Sequence, residues 1–378
     1  MRGKYIVAAL ACAGWPMLAA GPLGIFEDHA DVGTVLHAGA VDYDAAKQTY
    51  TIAGSGENMW FSSDAFQFVW KKVSGDVTLT ADIAFIGAGH EGHRKAVLMI
   101  RQNLDGDAPY ADVARHGDGL TSLQARDEKG ATTTEIQSAV KGPARVRIAK
   151  RGDNFFIWVA GEGEDLQFSG GSMRVPLHDP FYVGLGVCSH NKDIVEKAVF
   201  SNVDLTVGPQ PAAAELKLYS TLETVPLSGD RRVTYAGQGR ISAPAWVGDS
   251  WVTFDHDGQR EQVPAAGGKP APAHESGKSG PDLKGAEEAS ARDNLPADGF
   301  QNCFPHRSPD GEQIAFLSYA KGTSGCPEDK DVMLRVLSIK DGKVRVLAKF
   351  TGGKGSMDLP SWSPDSRRLA FVSYQELR

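Results

Sequence analysis

His90-Glu-Gly-His93 sets two imidazoles around a carboxylate, the residue types of a metal site. A helical zinc site needs histidines four apart, so that both project from one face. Here the spacing is three and Gly87, Gly89 and Gly92 crowd the segment, which reads as a solvated loop. Asp105-Gly-Asp107, with Asp112 further on, offers the oxygen donors that calcium takes, in no stereotyped loop spacing. Ser276-Gly-Lys-Ser279 mimics the end of a phosphate-binding loop, but Pro272 stands where the first glycine is required. There is no Gly-x-Ser-x-Gly elbow and no zinc-type cysteine pair. A glycosidase needs two carboxylates at a set separation, and no Glu-x-Asp-x-x-Glu strand is present. No catalytic residue and no metal ligand is therefore assigned, and calcium is the one cofactor left in consideration.

Binding chemistry is better represented. Sugars are held by an aromatic platform and planar hydrogen-bonding side chains. Trp60 with Arg101, His116, Gln124, Arg126 and His190 supplies that set. Arg101 closes a strand in phase with Val97 and Met99, while His116, Gln124 and Arg126 come from the unusually polar stretch 114–127. The competing reading makes Trp60 core and the charges a solvated face. On the binding reading, Arg101→Ala weakens glycan retention and leaves the fold intact.

The chain has 378 residues, a formal charge of -7, 41% hydrophobic and 23% charged residues. These are ordinary values for a globular protein of two or three domains. No clustered basic face marks a nucleic-acid partner. Met1-Arg-Gly-Lys4, then the uncharged apolar run Tyr5–Ala20 with small residues at its end, reads as a signal peptide over 1–20. The run is too short to span a bilayer, so no transmembrane span is expected in the mature chain. The protein is expected in the periplasm or outside the cell. That compartment permits disulfides, and Cys303 and Cys326 flank one hairpin and could pair. Cys188, in an apolar run, reads as a buried small hydrophobe.

Residues 22–207 are dense in strand signals, such as Val77–Phe85, Ala96–Arg101 and Phe155–Val159, separated by turns. This pattern predicts an all-β sandwich. Ser55-Gly-Glu-Asn-Met-Trp60, Lys95–Gln102, Arg147–Phe155 and Val183–His190 before Ala198–Asn202 resemble the concanavalin A-like or laminin G-like jelly roll of secreted proteins. The resemblance implies the fold and leaves the ligand open. Gly208–Ala214 reads as a Pro/Ala linker over 208–215.

The last third repeats itself. Pro305-His-Arg-Ser-Pro-Asp-Gly311 leads into Ile314–Tyr319, and Pro360-Ser-Trp-Ser-Pro-Asp-Ser366 leads into Leu369–Tyr374. A weaker copy is Pro244–Asp249 before Trp251–Phe254. Pro309, Asp310 and Gly311 suit successive turn positions. Such units cannot bury their apolar faces alone. They are similar to the TolB-type β-propeller repeat, and the whole arrangement resembles bacterial TolB-like biopolymer-transporter proteins. The resemblance implies a C-terminal partial propeller over 216–378, of about three blades, with Leu216–Tyr235 completing the last. A flexible insert is expected over 265–299, where bulky apolar residues are nearly absent.

The expected protein is thus an exported, non-catalytic recognition protein. Its jelly roll has a possible glycan ligand, and its repeats a possible protein partner. The alternative is a polysaccharide-active hydrolase or lyase on the jelly roll.

Overall fold

A computed structural model describes residues 23–208, 216–273, 291, 294–357 and 361–377. The expected signal peptide, the Ser276–Ser279 segment and most of the expected linker lie outside them. The described elements are strands, and the fold is all-β. Among the described residues no helix is long and apolar enough to cross a membrane.

Period-two alternation builds the sandwich. In one sheet the order is Asp28–Val32, Phe66–Val73, Phe181–Cys188, Lys95–Arg101, Tyr110–His116, Thr121–Arg126 and Thr134–Gln137. The opposing sheet has Val77–Ile86 between Arg145–Arg151 and Glu196–Val207 at its centre. Successive strands interleave between the sheets, as in a jelly roll. Inward residues such as Leu98, Val113, Leu123, Leu79, Ile148 and Val183 form one buried core.

The first sheet does not stop at the sandwich. Thr134–Gln137 pairs in parallel with Arg231–Gln238, with Ile136 opposite Arg231. The sheet then continues through Lys217–Pro226 to Arg368–Leu377, making ten strands. The second block is therefore hydrogen-bonded edge to edge with the first.

Three blade-like sheets follow the repeats. Ile241–Val247, Trp251–His256, Gln259–Pro264 and Ala271–Pro272 form the first. Gln301–Arg307, Gln313–Tyr319, Lys330–Ser338 and Val344–Gly352 form the second. The third joins Arg368–Leu377 to Lys217–Pro226 and Arg231–Gln238, so both ends of the block share one sheet. This third sheet lies between the other two. Leu369 and Phe371 pack on the second blade, and Ala370, Val372 and Tyr374 pack on the first. Burial on both faces explains why that strand reads as an almost unbroken apolar run. No closed ring forms among the described residues.

The first residues of the expected insert, 265–273, are among the described ones. Ala265 is buried, and Ala271–Pro272 adds a fourth strand opposite Gln262 and Glu261. Backbone pairing and one small apolar contact suffice there despite the polar composition. Residues 274–290 lie outside the described residues.

Cys303 and Cys326 are joined by a disulfide across the second blade. Closing a loop with a sequence separation of 23 residues restricts the unfolded chain and stabilises by about 3 kcal/mol. The double variant Cys303→Ser, Cys326→Ser should lose stability of that order in urea denaturation. Added reductant should destabilise the parent chain and leave the variant unchanged.

Candidate functional site

The sheet face turned away from the sandwich core carries most of the polar chemistry. Strand pairing sets its side chains in rows. Tyr182, Arg101, Tyr110 and Arg126 form one row. Met99, Asp112, Gln124 and Glu135 form the next but one to a row ending in Lys95 and His116. Within the unusually polar stretch 114–127, strand Thr121–Arg126 alternates, with Leu123 and Ala125 in the core and Ser122, Gln124 and Arg126 on this face.

Segment 55–65 closes over one end of the face. Gly56 makes the close approach possible: its φ is +121°, and a Cβ there would overlap the Ala65 carbonyl. Asp64 then reaches both arginines. Arg126 forks onto it with Nη2–Oδ1 at 2.7 Å and Nη1–Oδ2 at 2.9 Å, and Arg101 Nη2 stands 3.5 Å from Oδ2. All three side chains have zero exposure. Arg101 donates further to the carbonyls of Asn103 and Asp105 and to Met99 Sδ, and Arg126 to the carbonyls of Ala131, Ala108, Trp60 and Phe61. Arg101 and Arg126, expected as ligand contacts, are thus enclosed structural cations. A fully solvated reading of them fails as well.

Of the remaining expected residues, His116, Gln124 and His190 gather toward the other end around His93, while Trp60 stands on the covering segment. Lys95 donates to Asn58 Oδ1 at 2.8 Å and to the Met59 carbonyl at 3.3 Å. Its ammonium lies 5.5 Å from the ring of half-buried Trp60. Gln124 Nε2 is 3.2 Å from His116 Nε2. The His93 ring sits 5.4 Å from that of His116 and 5.5 Å from that of His190. Burial lowers the His116 imidazole to about 2, with Lys95, His93 and His190 acting the same way, so the ring stays neutral. Burial likewise lowers the Lys95 ammonium and raises the Asp112 carboxyl well above the usual range. Among the described residues neither Asp112 oxygen, nor Gln124 Oε1, meets a hydrogen-bond partner. Cys188 is free and enclosed, its thiol pushed up by burial to about 11.

The sequence pairing of His90 with His93 is not the one the fold makes. His90 turns to Glu196, which its backbone N–H reaches at 2.9 Å. The acids considered for calcium are also divided. Asp105 and Asp107 share Lys129, at 2.7 and 3.4 Å, while Asp112 lies on the sheet face. Asp64 and Lys95 were missed, although Lys95 stands in phase with Arg101; Asp112 and His93 were weighed only beside sequence neighbours that the fold separates from them.

A separate cleft of about 530 Å³ opens between the sandwich and the second blade. Asp127, Glu135, Asn154 and Arg174 line it from the sandwich, and Arg231, Phe300 and Lys349 from the repeats. Arg174–Asp331 at 3.5 Å and Lys349–Asp127 at 3.2 Å bridge the two sides. These pairs are exposed and worth under about 1 kcal/mol each. Arg231 is held firmly, forked onto buried Glu223 at 2.8 and 2.9 Å. None of the six expected ligand residues lines this cleft.

Fold and site together define an all-β protein in which a two-sheet sandwich shares one sheet with a stack of blades. No protein-family model matches the chain. Over 87 residues it is 33% identical to an uncharacterized protein of Agrobacterium fabrum, a stretch amounting to 23% of this chain and 30% of that protein. The match therefore spans less than a third of that relative. Among solved structures it is similar to a functionally unknown protein from Saccharomyces cerevisiae (18% identity, 45% of this chain and 93% of that one, TM-score 0.36). Two others are a candidate TolB from Agrobacterium tumefaciens (16%, 76% and 100%, 0.21) and the metal-free lectin I-B4 from Griffonia simplicifolia (8%, 48% and 93%, 0.25). At these scores the likenesses bear on neither ligand nor activity.

Asp64→Ala leaves two enclosed guanidinium groups without their carboxylate. It should lower stability by roughly 3–5 kcal/mol, read as a fall in the urea midpoint. Arg101→Ala should act in the same way, by loosening the fold rather than by removing a ligand contact alone.

Proposed function

We propose that this chain is an exported, non-catalytic recognition protein that takes a glycan in the cleft between its sandwich and its repeats. One observation carries the reading. The cleft of about 530 Å³ is of ligand size and lies at the junction of two units. Planar hydrogen-bonding groups from Asn154, Asp127, Glu135 and Arg174 line it together with the ring of Phe300. That combination suits a ligand with many hydroxyls and apolar ring faces. Export rests on the charged, then apolar, then small-residue start of the chain, and the Cys303–Cys326 bridge supports an oxidising compartment. The exposed Trp251 on the first blade, 40% accessible, favours a protein contact there.

A catalytic alternative draws on one feature. Asp112 and Glu135 flank Gln124 on the same sheet face, two strand spacings or about 9.5 Å apart, near the upper limit for an inverting acid pair. Asp112 has zero exposure, so a sugar linkage cannot reach it without movement of the covering segment.

The test is a retention assay of the full chain on glycans and cell-wall polymers, with reducing ends counted in parallel. Phe300→Ala should weaken binding by about tenfold, roughly 1.4 kcal/mol, at an unchanged melting temperature. Equal retention by that variant would remove the cleft from the reading. Release of reducing ends that stops in Glu135→Gln would replace recognition by catalysis.

A further inference from the structure

The geometry points to a divalent transition-metal site formed by His93, His116 and Asp118, and we propose that this chain binds one such ion there. The ligand atoms of these three residues lie within 4.8 Å of one another. His93 Nδ1 and His116 Nδ1 are 3.2 Å apart. Two imidazole nitrogens bound to one tetrahedral zinc ion, each at about 2.05 Å, stand about 3.3 Å apart. Without an ion, two neutral rings facing in this way can share at most one proton. A cation between them makes use of both lone pairs. Two imidazoles and a carboxylate suit zinc and its first-row neighbours rather than calcium. Three protein ligands leave a fourth position open to water or to a ligand atom.

The backbone holds the three in place before any ion arrives. Strand Tyr110–His116 ends in a turn, in which His116 N–H donates to the Leu120 carbonyl and Leu120 N–H to Asp118 Oδ1. Gly117 N–H donates to the Arg94 carbonyl and Asp118 N–H to the Gly92 carbonyl, both at 2.9 Å. These two bonds bracket His93 and lay it against the turn. Arg94 is itself fixed by Glu196, at 2.7 Å with both side chains enclosed. Lys95, two residues beyond His93, turns its ammonium to Asn58 and Met59.

Gln124 supplies the outer support that metal-bound histidines use. Its Oε1 is buried with no partner, while its Nε2 lies 3.2 Å from His116 Nε2. A half turn of the amide brings Oε1 to that nitrogen, where it accepts the Nε2–H. The lone pair of His116 is then on Nδ1, the atom that faces His93. The His190 ring stands 5.5 Å from that of His93 between ring centres.

The experiment uses the full chain without a polyhistidine tag, stripped with EDTA. Zinc is titrated by calorimetry, and cobalt by visible absorption. The expected result is one ion per chain, a tetrahedral cobalt spectrum and a higher melting temperature with zinc. His93→Ala and Asp118→Ala change exposed residues, so the fold is retained. Each should lose at least about tenfold in zinc affinity, the scale on which even outer-shell groups matter. Absence of zinc binding to the parent chain, or equal affinity in both variants, would overturn the site. The glycan assay with Phe300→Ala reads the cleft, and the zinc titration with His93→Ala and Asp118→Ala reads the histidine cluster, so the two readings fail independently.

Discussion

Asp64 is the point on which the sandwich depends. It is a carboxylate with no access to water, set between two guanidinium groups that have none either. Removing such charges from solvent is costly, and the cost is offset only when every donor finds an acceptor. Here the acceptors are carbonyls of three separate connections, around residues 60, 103–108 and 131. Those connections are consequently tied to one another through a single buried group. Segment 55–65 then lies over the sheet with Met59 and Asn58 positioned to receive Lys95. One end of the face is sealed by ionic bonding, and the histidine end stays open.

The second constraint is the shared sheet. A parallel step of two residue pairs, Ile136 with Arg231 and Gln137 with Arg232, joins the sandwich to the blade stack. Arg231 also forks onto Glu223 and reaches the Lys349 carbonyl of the second blade. A strand pairing and a buried ion pair thus set the width of the cleft. A linker alone would leave it variable. The walls carry Glu135 and Arg231 on neighbouring strands, so sheet continuity and cleft chemistry are parts of one arrangement.

The blade stack shows what a repeat needs when no ring closes. The third blade is covered on both sides by the other two. The outer face of the second blade, at Ile314, Phe316 and Leu337, is covered by Ala291 and Leu295. A segment following the first blade therefore caps apolar surface that a further blade would cover in a closed propeller.

Much of this was legible in the residues. Alternation marked the strands, the Ser-Pro-Asp turns marked the blade hairpins, and flanking positions marked Cys303 and Cys326 as a pair. These are local signals, because period, turn chemistry and spacing act over a few residues. Placement was not legible. Arg101 and Arg126 share the in-phase position of a ligand-binding arginine, and only a distant carboxylate at position 64 turns them into enclosed supports. His93 has a neighbour in sequence at His90, yet its partner in space comes from the next hairpin. The sequence by itself determined an all-β chain of sandwich and repeats, since alternation and turns follow from covalent and steric rules. Which charges are buried, which histidines meet and where a cleft opens was decided by strand order and register, because those bring together groups far apart along the chain.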